Sequence, residues 1–194
     1  MPDRRLDSYE RRRDFSRTPE PSGGQARGGE PRFVIQKHAA SRLHYDFRLE
    51  VDGVLKSWAV PKGPSTDPRD KRLAVPTEDH PLDYIDFEGV IPEGEYGGGS
   101  VIVWDTGTYR NITTSKGEEV PASDALARGH VAVWLEGQKL SGGYALTRVG
   151  RGQDERWLLV KMKDERSDAR RNPVSTEPQS VLSGRTVEEV AQQR

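Results

Sequence analysis

The feature that most constrains the fold of this chain is a pair of short segments joined by Asp52-Gly53. From His44 to Val51 polar and apolar residues alternate, and Val54–Val60 is a second run rich in apolar residues. Alternation with a period of two places successive side chains on opposite faces of a strand. Because Asp-Gly between two such runs is a strong hairpin signal, we predict an antiparallel pair of strands here.

Similar short runs separated by turns follow along the chain. We predict further strands at Arg32–Gln36, Arg72–Val75, Gly99–Asp105, His130–Glu136, Gly143–Val149 and Arg156–Met162. One internal helix is predicted at Ser123–Arg128, with Ser123 as its N-cap and Gly129 at its end. Seven or eight strands with little helix indicate an antiparallel barrel or sandwich.

Composition divides the chain into three parts. Residues 1–31 are rich in Arg, Pro and Gly and are predicted to form a flexible arm, with a short arginine-rich helix within Leu6–Phe15. Residues 32–163 form the predicted β domain, and residues 164–194 are a charged linker or tail with a last helical turn or two at Thr186–Gln192. A hydrophobic fraction of 32% agrees with part of the chain lying outside a core.

Composition and charge exclude several classes of protein. The chain has no cysteine, so any metal must be held by histidine and carboxylate oxygen. Its apolar runs are too short to span a bilayer and no signal-like segment begins it, so a cytoplasmic protein without a membrane partner is expected. The net charge of −1 argues against binding by bulk charge alone. Residues 32–72 hold nine Lys/Arg against five Asp/Glu, which favours a local phosphate-binding surface.

The candidate site lies on the predicted strand that presents His44, Asp46 and Arg48 on one face. His38 lies just upstream, where a turn could bring it back over that row. Two imidazoles and a carboxylate are a complete set of protein ligands for a divalent ion that keeps open positions. An arginine beside such an ion suits a phosphate, because its planar fork can bind two oxygens at once.

Two other stretches carry weaker signals. His80 lies among acidic residues and before a proline, and could serve as a ligand, a phosphate contact or a general acid. The glycine-dense Pro92–Ser100 indicates a turn whose backbone could approach a ligand closely.

These patterns leave three classes open. The first is a metal-dependent phosphoesterase, supported by Arg48 with Lys62 and Arg72 nearby. The second is a non-haem iron oxygenase, in which His130 would complete the H-x-D motif and Arg148 would bind a substrate carboxylate. The third is a non-catalytic barrel that binds nucleic acid. The basic content around the H-x-D strand favours the first class, and spacing by itself does not decide.

Four blocks of sequence carry a family resemblance. In chain order they are K-H-A-A-S-R-L-H-Y-D-F-R-L, W-A-V-P-K-G-P, E-D-H-P-L-D-Y and G-V-I-P-E-G-E-Y-G-G-G. Over roughly Tyr9 to Lys163 the chain resembles the 3′-phosphoesterase domain of bacterial DNA ligase D, a module of non-homologous end joining. The later S-V-L-S-G-R-T-V-E-E-V-A resembles the segment that joins this module to a ligase domain, so a free-standing or excised form is expected.

The resemblance implies a mainly β fold, namely a closed or partly open antiparallel barrel of about eight strands with a few short flanking helices. It implies manganese-dependent removal of a 3′-terminal ribonucleotide to leave a 3′-phosphate, followed by removal of that phosphate. The implied substrate is a DNA primer-template at a double-strand break. The implied partners are an end-joining ligase or polymerase and Ku-type proteins, at the nucleoid of a bacterium or archaeon.

The resemblance also assigns roles by motif. The metal ligands fall on His38, His44 and Asp46, and the catalytic residues that engage the scissile phosphate fall on Arg48, His80 and Tyr84. Further phosphate-binding or supporting positions fall on Lys62, Arg72, Gln36 and Glu78. The arm sequence R-R-D-F-S-R-T-P-E places Arg13, Asp14 and Glu20 near the site.

Overall fold

A computed structural model describes residues 4–23 and 29–192 of the chain. The strands in these residues are β1 Arg32–Ala39, β2 Leu43–Val51, β3 Val54–Val60, β4 Arg72–Pro81, β5 Gly89–Ile91, β6 Gly99–Asn111, β7 Thr114–Ser115, β8 Glu118–Glu119, β9 His130–Gly137, β10 Ser141–Val149 and β11 Arg156–Lys161. The α-helices are short, namely α1 Asp7–Arg11, α2 Ala122–Arg128, α3 Pro173–Thr176 and α4 Val187–Ala191. A 3₁₀ helix at Leu82–Asp86 follows β4. No helix among the described residues is both long and apolar enough to cross a membrane.

Eight of these strands close into an antiparallel barrel. Their order is β1, β2, β3, β4, β11, β10, β9 and β6, and β6 returns to pair with β1. The long strand β6 also pairs with β5 through its first part and with β9 through its last part. The predicted mainly β fold with a closed antiparallel barrel and a few short helices is confirmed.

The turn between β2 and β3 shows why the sequence starts the barrel with a hairpin. Val51 pairs directly with Val54, so Asp52 and Gly53 are the two central turn residues. Their φ angles of 50° and 86° lie in the left-handed region, as a type I′ turn requires. Glycine enters that region without steric cost, and aspartate tolerates it better than most residues do.

The predicted ends of several strands are wrong, since β1 continues to Ala39 and β6 to Asn111. Strand β4 does not end at Val75 but continues to Pro81, because β3 supplies backbone partners beyond a register shift between Leu55 and Ser57. The longer strand carries Glu78 and His80, which lie beyond the strand predicted from the sequence.

Helix α2 corrects a predicted cap. Ser123 lies inside the helix and Pro121 is the N-cap residue, with no capping hydrogen bond from its side chain. Proline can begin a helix at this point because its fixed φ suits the first turn and its carbonyl accepts from Ala125 N. Gly129 ends the helix in the left-handed conformation with φ 85°, as predicted.

The two faces of β2 pack in different places. Tyr45, Phe47 and Leu49 point into the barrel and are buried in the main apolar core. The opposite face is covered rather than solvated, since Asp46 and Arg48 are only 5% and 4% exposed. A second apolar cluster on the outer wall, which includes Tyr9, Leu55 and Tyr84, provides this cover. The candidate site is therefore built on the outside of the barrel under the N-terminal segment.

The C-terminal residues also contact the barrel. Val187 and Val190 of α4 pack on Ile102 of β6, and α4 begins with a capping box between Thr186 and Glu189. Whether residues 164–194 act as a linker stays a prediction, as does the flexible character of residues 1–31. Residues 1–3 and 24–28 of the arm and the last two residues of the tail lie outside the described residues.

We expect the Asp105→Ala variant to be markedly less stable. The carboxylate of this fully buried residue accepts hydrogen bonds from the backbone N–H groups of Gln138, Lys139 and Leu140 at 2.9, 3.1 and 2.8 Å. Leaving these donors without a partner should lower the free energy of unfolding by about 3 kcal/mol or more. Urea denaturation measures this loss, and the exposed Glu118→Ala serves as control. Equal stability of the two variants would show that the hydrogen bonds accepted by Asp105 do not stabilise the fold.

Candidate active site

The register of β1 on β2 brings the three predicted metal ligands together. His38 pairs with His44, and Gln36 pairs with Asp46. Directly opposed residues share a face of the sheet, so both imidazoles and the carboxylate meet on the outer wall. His38 Nδ1 and His44 Nε2 lie 3.5 and 3.2 Å from Asp46 Oδ2. One ligand atom from each residue lies within 4.8 Å of the others.

Backbone carbonyls hold both imidazoles in a suitable tautomer. His38 Nε2 donates to the Gly97 carbonyl at 2.6 Å, and His44 Nδ1 donates to the Arg42 carbonyl at 3.1 Å. A carbonyl only accepts, so these nitrogens keep their protons. In the neutral rings the other nitrogens, which face Asp46, are then available to an ion. Orientation of ligating histidines through the second ring nitrogen is typical of metal sites, and the donor set fits a divalent ion.

The charge state of the carboxylate also favours a cation. Burial by itself would raise the pKa of Asp46. The charge of Arg48 outweighs burial, together with hydrogen bonds from His38 and His44 whenever the ring nitrogens facing Asp46 carry protons, and this pKa lies well below its usual range. For His44, burial lowers the pKa, and the hydrogen bond with Asp46 more than compensates, so the net shift is upward. A proton and a metal ion therefore compete for His44 as the pH falls.

Arg48 is held in place before any ligand arrives. Its Nε donates to Gln36 Oε1 at 2.7 Å, and its Nη2 lies 3.5 Å from Asp46 Oδ2. The amide nitrogen of Gln36 in turn donates to the carbonyls of Tyr84 and Phe87 at 3.0 and 3.1 Å. Gln36 is fully buried and contacts protein groups on both sides. It orients the guanidinium rather than facing the cavity.

His80 is a buried neutral histidine. Its Nδ1 lies 3.1 Å from Arg48 Nη1 and 2.9 Å from the Glu78 carbonyl oxygen. Burial, followed by the positive charges of Arg48 and Arg13, lowers the pKa of His80 well below its ordinary value. The ring therefore carries no charge at neutral pH in the free protein.

Tyr84 lies beside His80, with ring centroids 4.7 Å apart. Burial and then the charge of Glu20 raise the pKa of Tyr84 well above its ordinary value. Its hydroxyl is thus a neutral donor, and it donates to Glu20 Oε2 at 2.7 Å.

The N-terminal segment contributes an arginine and a glutamate. Arg13 Nε lies 2.9 Å from Glu20 Oε2 and its Nη1 lies 3.1 Å from Glu78 Oε1, so two buried carboxylates hold this guanidinium. Asp14 is different, because it is exposed and accepts hydrogen bonds from Ser16. Of the three arm residues assigned by resemblance, the structure brings Arg13 and Glu20 to the site.

These groups surround one cavity of about 290 Å³, whose walls include Arg13, His44, Arg48, Glu78, His80 and Tyr84. Two assigned cations do not line it. Lys62 is exposed just beyond β3, and Arg72 at the start of β4 lies 3.7 Å from Asp70. Arg72 shares the strand face of Ala74, which points into the barrel core.

Sequence reasoning missed two residues that line this cavity. Gly97 supplies the carbonyl that holds His38, and Tyr96 lies beside it with its ring half exposed. The glycine-dense turn had indicated only a close backbone approach. The pairing of His38 with Val101 of β6 brings this turn over the ligands, and no spacing rule in the sequence signals that pairing.

The structure does not bring His130 to the H-x-D motif, as the oxygenase alternative required. His130 lies exposed on β9, where its Nδ1 is 3.0 Å from Thr147 Oγ1. Arg148 donates to the Ala127 carbonyl at 3.4 Å. Within residues 4–23 and 29–192, the one trio of histidine and carboxylate groups close enough to hold an ion is that of β1 and β2. The assignment of His130 as a metal ligand and Arg148 as a carboxylate anchor in the oxygenase alternative is therefore wrong.

Comparison with known proteins identifies the class. A model of a phosphoesterase domain family, whose activity is hydrolysis of phosphoester bonds, matches residues 36–148. The family is described as the DNA Ligase D 3′-phosphoesterase domain, and the chain belongs to it. This match confirms the resemblance stated from the sequence motifs.

Individual relatives agree with this family. The chain is 53% identical over 188 residues to the multifunctional non-homologous end joining protein LigD of Pseudomonas aeruginosa, an alignment that covers 94% of this chain. It is 49% identical over 164 residues, 84% of this chain, to the corresponding DNA repair protein of Mycobacterium tuberculosis. It covers only 22% and 20% of these two relatives.

We expect His38→Ala, His44→Ala and Asp46→Ala each to weaken Mn²⁺ binding by more than about a hundredfold, because each removes one of three ligands. Isothermal titration of the metal-stripped protein measures the affinity without reference to activity. The exposed His130→Ala is the matched control and should bind like the unmodified protein. If one of these three variants keeps normal affinity, the residue that it replaces is not a metal ligand.

We expect Glu20→Ala to release the N-terminal segment from the barrel. This change leaves buried Arg13 and Tyr84 without their shared acceptor, and breaking a buried ion pair costs about 3–5 kcal/mol. Limited trypsin digestion should then cleave within Arg11–Arg13 much faster. Asp14→Ala alters an exposed carboxylate of the same segment and should leave the rate unchanged. Identical rates in both variants would show that Glu20 does not hold the segment.

Proposed function

We propose that this chain is a divalent-metal-dependent hydrolase that processes DNA 3′ ends. It removes a 3′-terminal ribonucleotide from a primer strand to leave a 3′-phosphate, and then removes that phosphate. One observation carries the proposal: an ionised Asp46 and two oriented imidazoles share a cavity with the buried guanidinium of Arg48. The family and the end-joining relatives support it.

The ligand chemistry supports a divalent ion of borderline hardness. Two imidazole nitrogens and one carboxylate oxygen suit such ions, and the chain has no thiolate to offer. We propose Mn²⁺, in agreement with the family resemblance. When bound, the ion supplies Lewis acidity toward a phosphoryl oxygen and lowers the pKa of a coordinated water.

Arg48 is the residue best placed to bind the reacting phosphate. Gln36 occupies its Nε, and each Nη group keeps a second N–H beyond its contact with His80 or Asp46, so these N–H groups can act at the cavity. A charge-assisted pair of hydrogen bonds from one guanidinium matches two phosphoryl oxygens. Because the side chain is buried and already oriented, it stabilises charge that builds at phosphorus without reorganising.

His80 and Tyr84 supply neutral polar groups on the same side. A neutral imidazole between two arginines can bind a phosphoryl oxygen through N–H without adding further positive charge to the pocket. The arrival of a phosphate would favour protonation of His80, because an adjacent negative charge raises a histidine pKa. Tyr84 would reach the phosphate by turning its hydroxyl from Glu20.

The proposed substrate is a DNA primer-template that ends in a 3′-ribonucleotide or a 3′-phosphate. Arg12 and Arg13 flank the cavity mouth and are paired with Glu78, so we propose only modest phosphate binding outside the cavity, in keeping with a chain whose net charge is near zero. We propose the ligase and polymerase of end joining, together with Ku-type proteins, as partners. The names of the relatives support this assignment to non-homologous end joining.

The deciding experiment uses a labelled primer-template with one 3′-terminal ribonucleotide and metal-stripped protein. We expect no reaction without metal and, with Mn²⁺, a strand ending first in phosphate and then in hydroxyl. Asp46→Ala protein prepared in parallel controls for contaminating nucleases. No product with Mn²⁺, or equal product from the Asp46→Ala protein, would overturn the proposal and favour a non-catalytic binding module.

We expect Lys62→Ala and Arg72→Ala to slow the second step selectively. A phosphomonoester carries more charge than a diester, so a peripheral cation should matter more to its binding. Neither side chain lines the cavity, so each would act on the phosphate at a distance. We therefore expect less than the roughly tenfold loss in rate that removal of a direct charge-assisted contact causes. The 3′-phosphate intermediate should accumulate in both variants.

Arg48→Ala is the matched comparison, because its guanidinium lies in the ligand cavity itself. It should stop ribonucleotide removal as well as phosphate removal. Equal loss of both steps in Lys62→Ala and Arg72→Ala would show that these cations serve the common site. The proposal that Lys62 and Arg72 act mainly in the second step, and Arg48 in both, would then be wrong.

A further inference from the structure

Tyr96 is an exposed aromatic side chain at the mouth of the catalytic cavity. It is 46% exposed, more than any other aromatic residue in the described part of the chain. Its ring also lines the cavity that holds the ligand trio and Arg48. Aromatic side chains are usually buried because of the area they remove from water. An exposed ring beside a phosphate site therefore calls for a role at that site.

The backbone under Tyr96 is held firmly. The Gly97 carbonyl accepts from His38 Nε2 at 2.6 Å, so the next residue is tied to a proposed metal ligand. Gly99 has a φ of 141°, and a Cβ there would collide with the Ala39 carbonyl oxygen. The turn is thus pressed against the end of β1. A side chain on a rigid turn can bind a ligand more tightly, because less conformational freedom of the protein is lost on binding.

The ring itself is oriented by an arginine. Arg12 Nη1 donates to the Tyr96 hydroxyl at 2.8 Å, and the Arg12 guanidinium carbon lies 5.0 Å from the ring centroid. Arg12 also contacts Glu78 Oε2 at 2.8 Å. An exposed ring next to a cation is a combination with which proteins bind single-stranded nucleic acid, because the ring stacks on a base and the cation meets the backbone phosphate.

We propose that Tyr96 is a nucleobase-binding platform, on which the base of the nucleotide bearing the reacting phosphate stacks. This inference rests on the proposed function and extends it. The cavity would bind the phosphate, and Tyr96 would require a nucleoside next to it. A phosphoester without a base would bind weakly, which would restrict the activity to nucleic-acid ends.

The alternative is a purely structural Tyr96 whose hydroxyl tethers Arg12 to the turn. Two substitutions separate these roles. Tyr96→Phe keeps the ring and removes the hydroxyl contact, whereas Tyr96→Leu removes the ring as well. Trp134→Leu is a matched control, because this partly exposed aromatic also has an arginine over its ring but lies on β9, outside the cavity lining.

The test measures KM and kcat with Mn²⁺ on two primer-templates that end in 3′-phosphate. In one the terminal nucleotide is thymidine, and in the other it is an abasic tetrahydrofuran residue. Stacking of a base on an aromatic ring is worth a roughly fivefold to hundredfold change in affinity. We expect Tyr96→Leu to raise KM on the thymidine end by such a factor and to leave KM on the abasic end unchanged. Trp134→Leu should match the unmodified protein on both ends, and Tyr96→Phe, which keeps the ring, should lose far less than Tyr96→Leu on the thymidine end.

Two outcomes would overturn the proposal. Equal losses in Tyr96→Phe and Tyr96→Leu would assign the effect to the hydroxyl tether, and equal losses on both DNA ends would assign it to structure. Fluorescence anisotropy of the same DNAs without metal gives the affinities independently of catalysis. If the unmodified protein releases no phosphate yet binds the thymidine end better only when the ring is present, the proposed function fails and the platform stands.

Discussion

The register between β1 and β2 is the constraint on which the rest of the site depends. It sets His38 opposite His44 and Gln36 opposite Asp46, so that both imidazoles, the carboxylate and the amide that orients Arg48 lie on one face. A slip of one residue would turn every side chain of a strand to the other face. The register is protected because the same strands bury Tyr45 and Phe47 inside the barrel, and a slip would expose them.

This arrangement places several charges under cover on the outer wall of the barrel. Burying a charge is tolerated when it is paired and hydrogen-bonded. Arg13 meets Glu20 and Glu78, and Arg48 meets Asp46 and the amide of Gln36. The N-terminal segment therefore completes the electrostatics of the site. Its Arg13 pairs with Glu78 of β4 as well as with Glu20 of the segment itself.

The ligand trio was predictable because its members lie close together in the sequence. His44, Asp46 and Arg48 share a strand face by simple alternation, and His38 needs only the next strand to reach them. Tyr96 and Gly97 lie far along the chain and reach the site through the pairing of β1 with β6. Nothing local in their sequence announces that pairing, because closing a barrel depends on contacts across the whole fold.

The sequence by itself determined the hairpin at Asp52-Gly53, the mainly β character, the ligand types available without cysteine and, by resemblance, the family. These depend on local backbone preference, on composition or on motifs. Only the tertiary structure decided that the face of β2 with Asp46 and Arg48 is covered rather than solvated. It also decided that Gln36 orients Arg48 through a hydrogen bond. Those properties depend on which distant segment packs over a face, and alternation along a strand says which face a residue occupies without saying what will cover it.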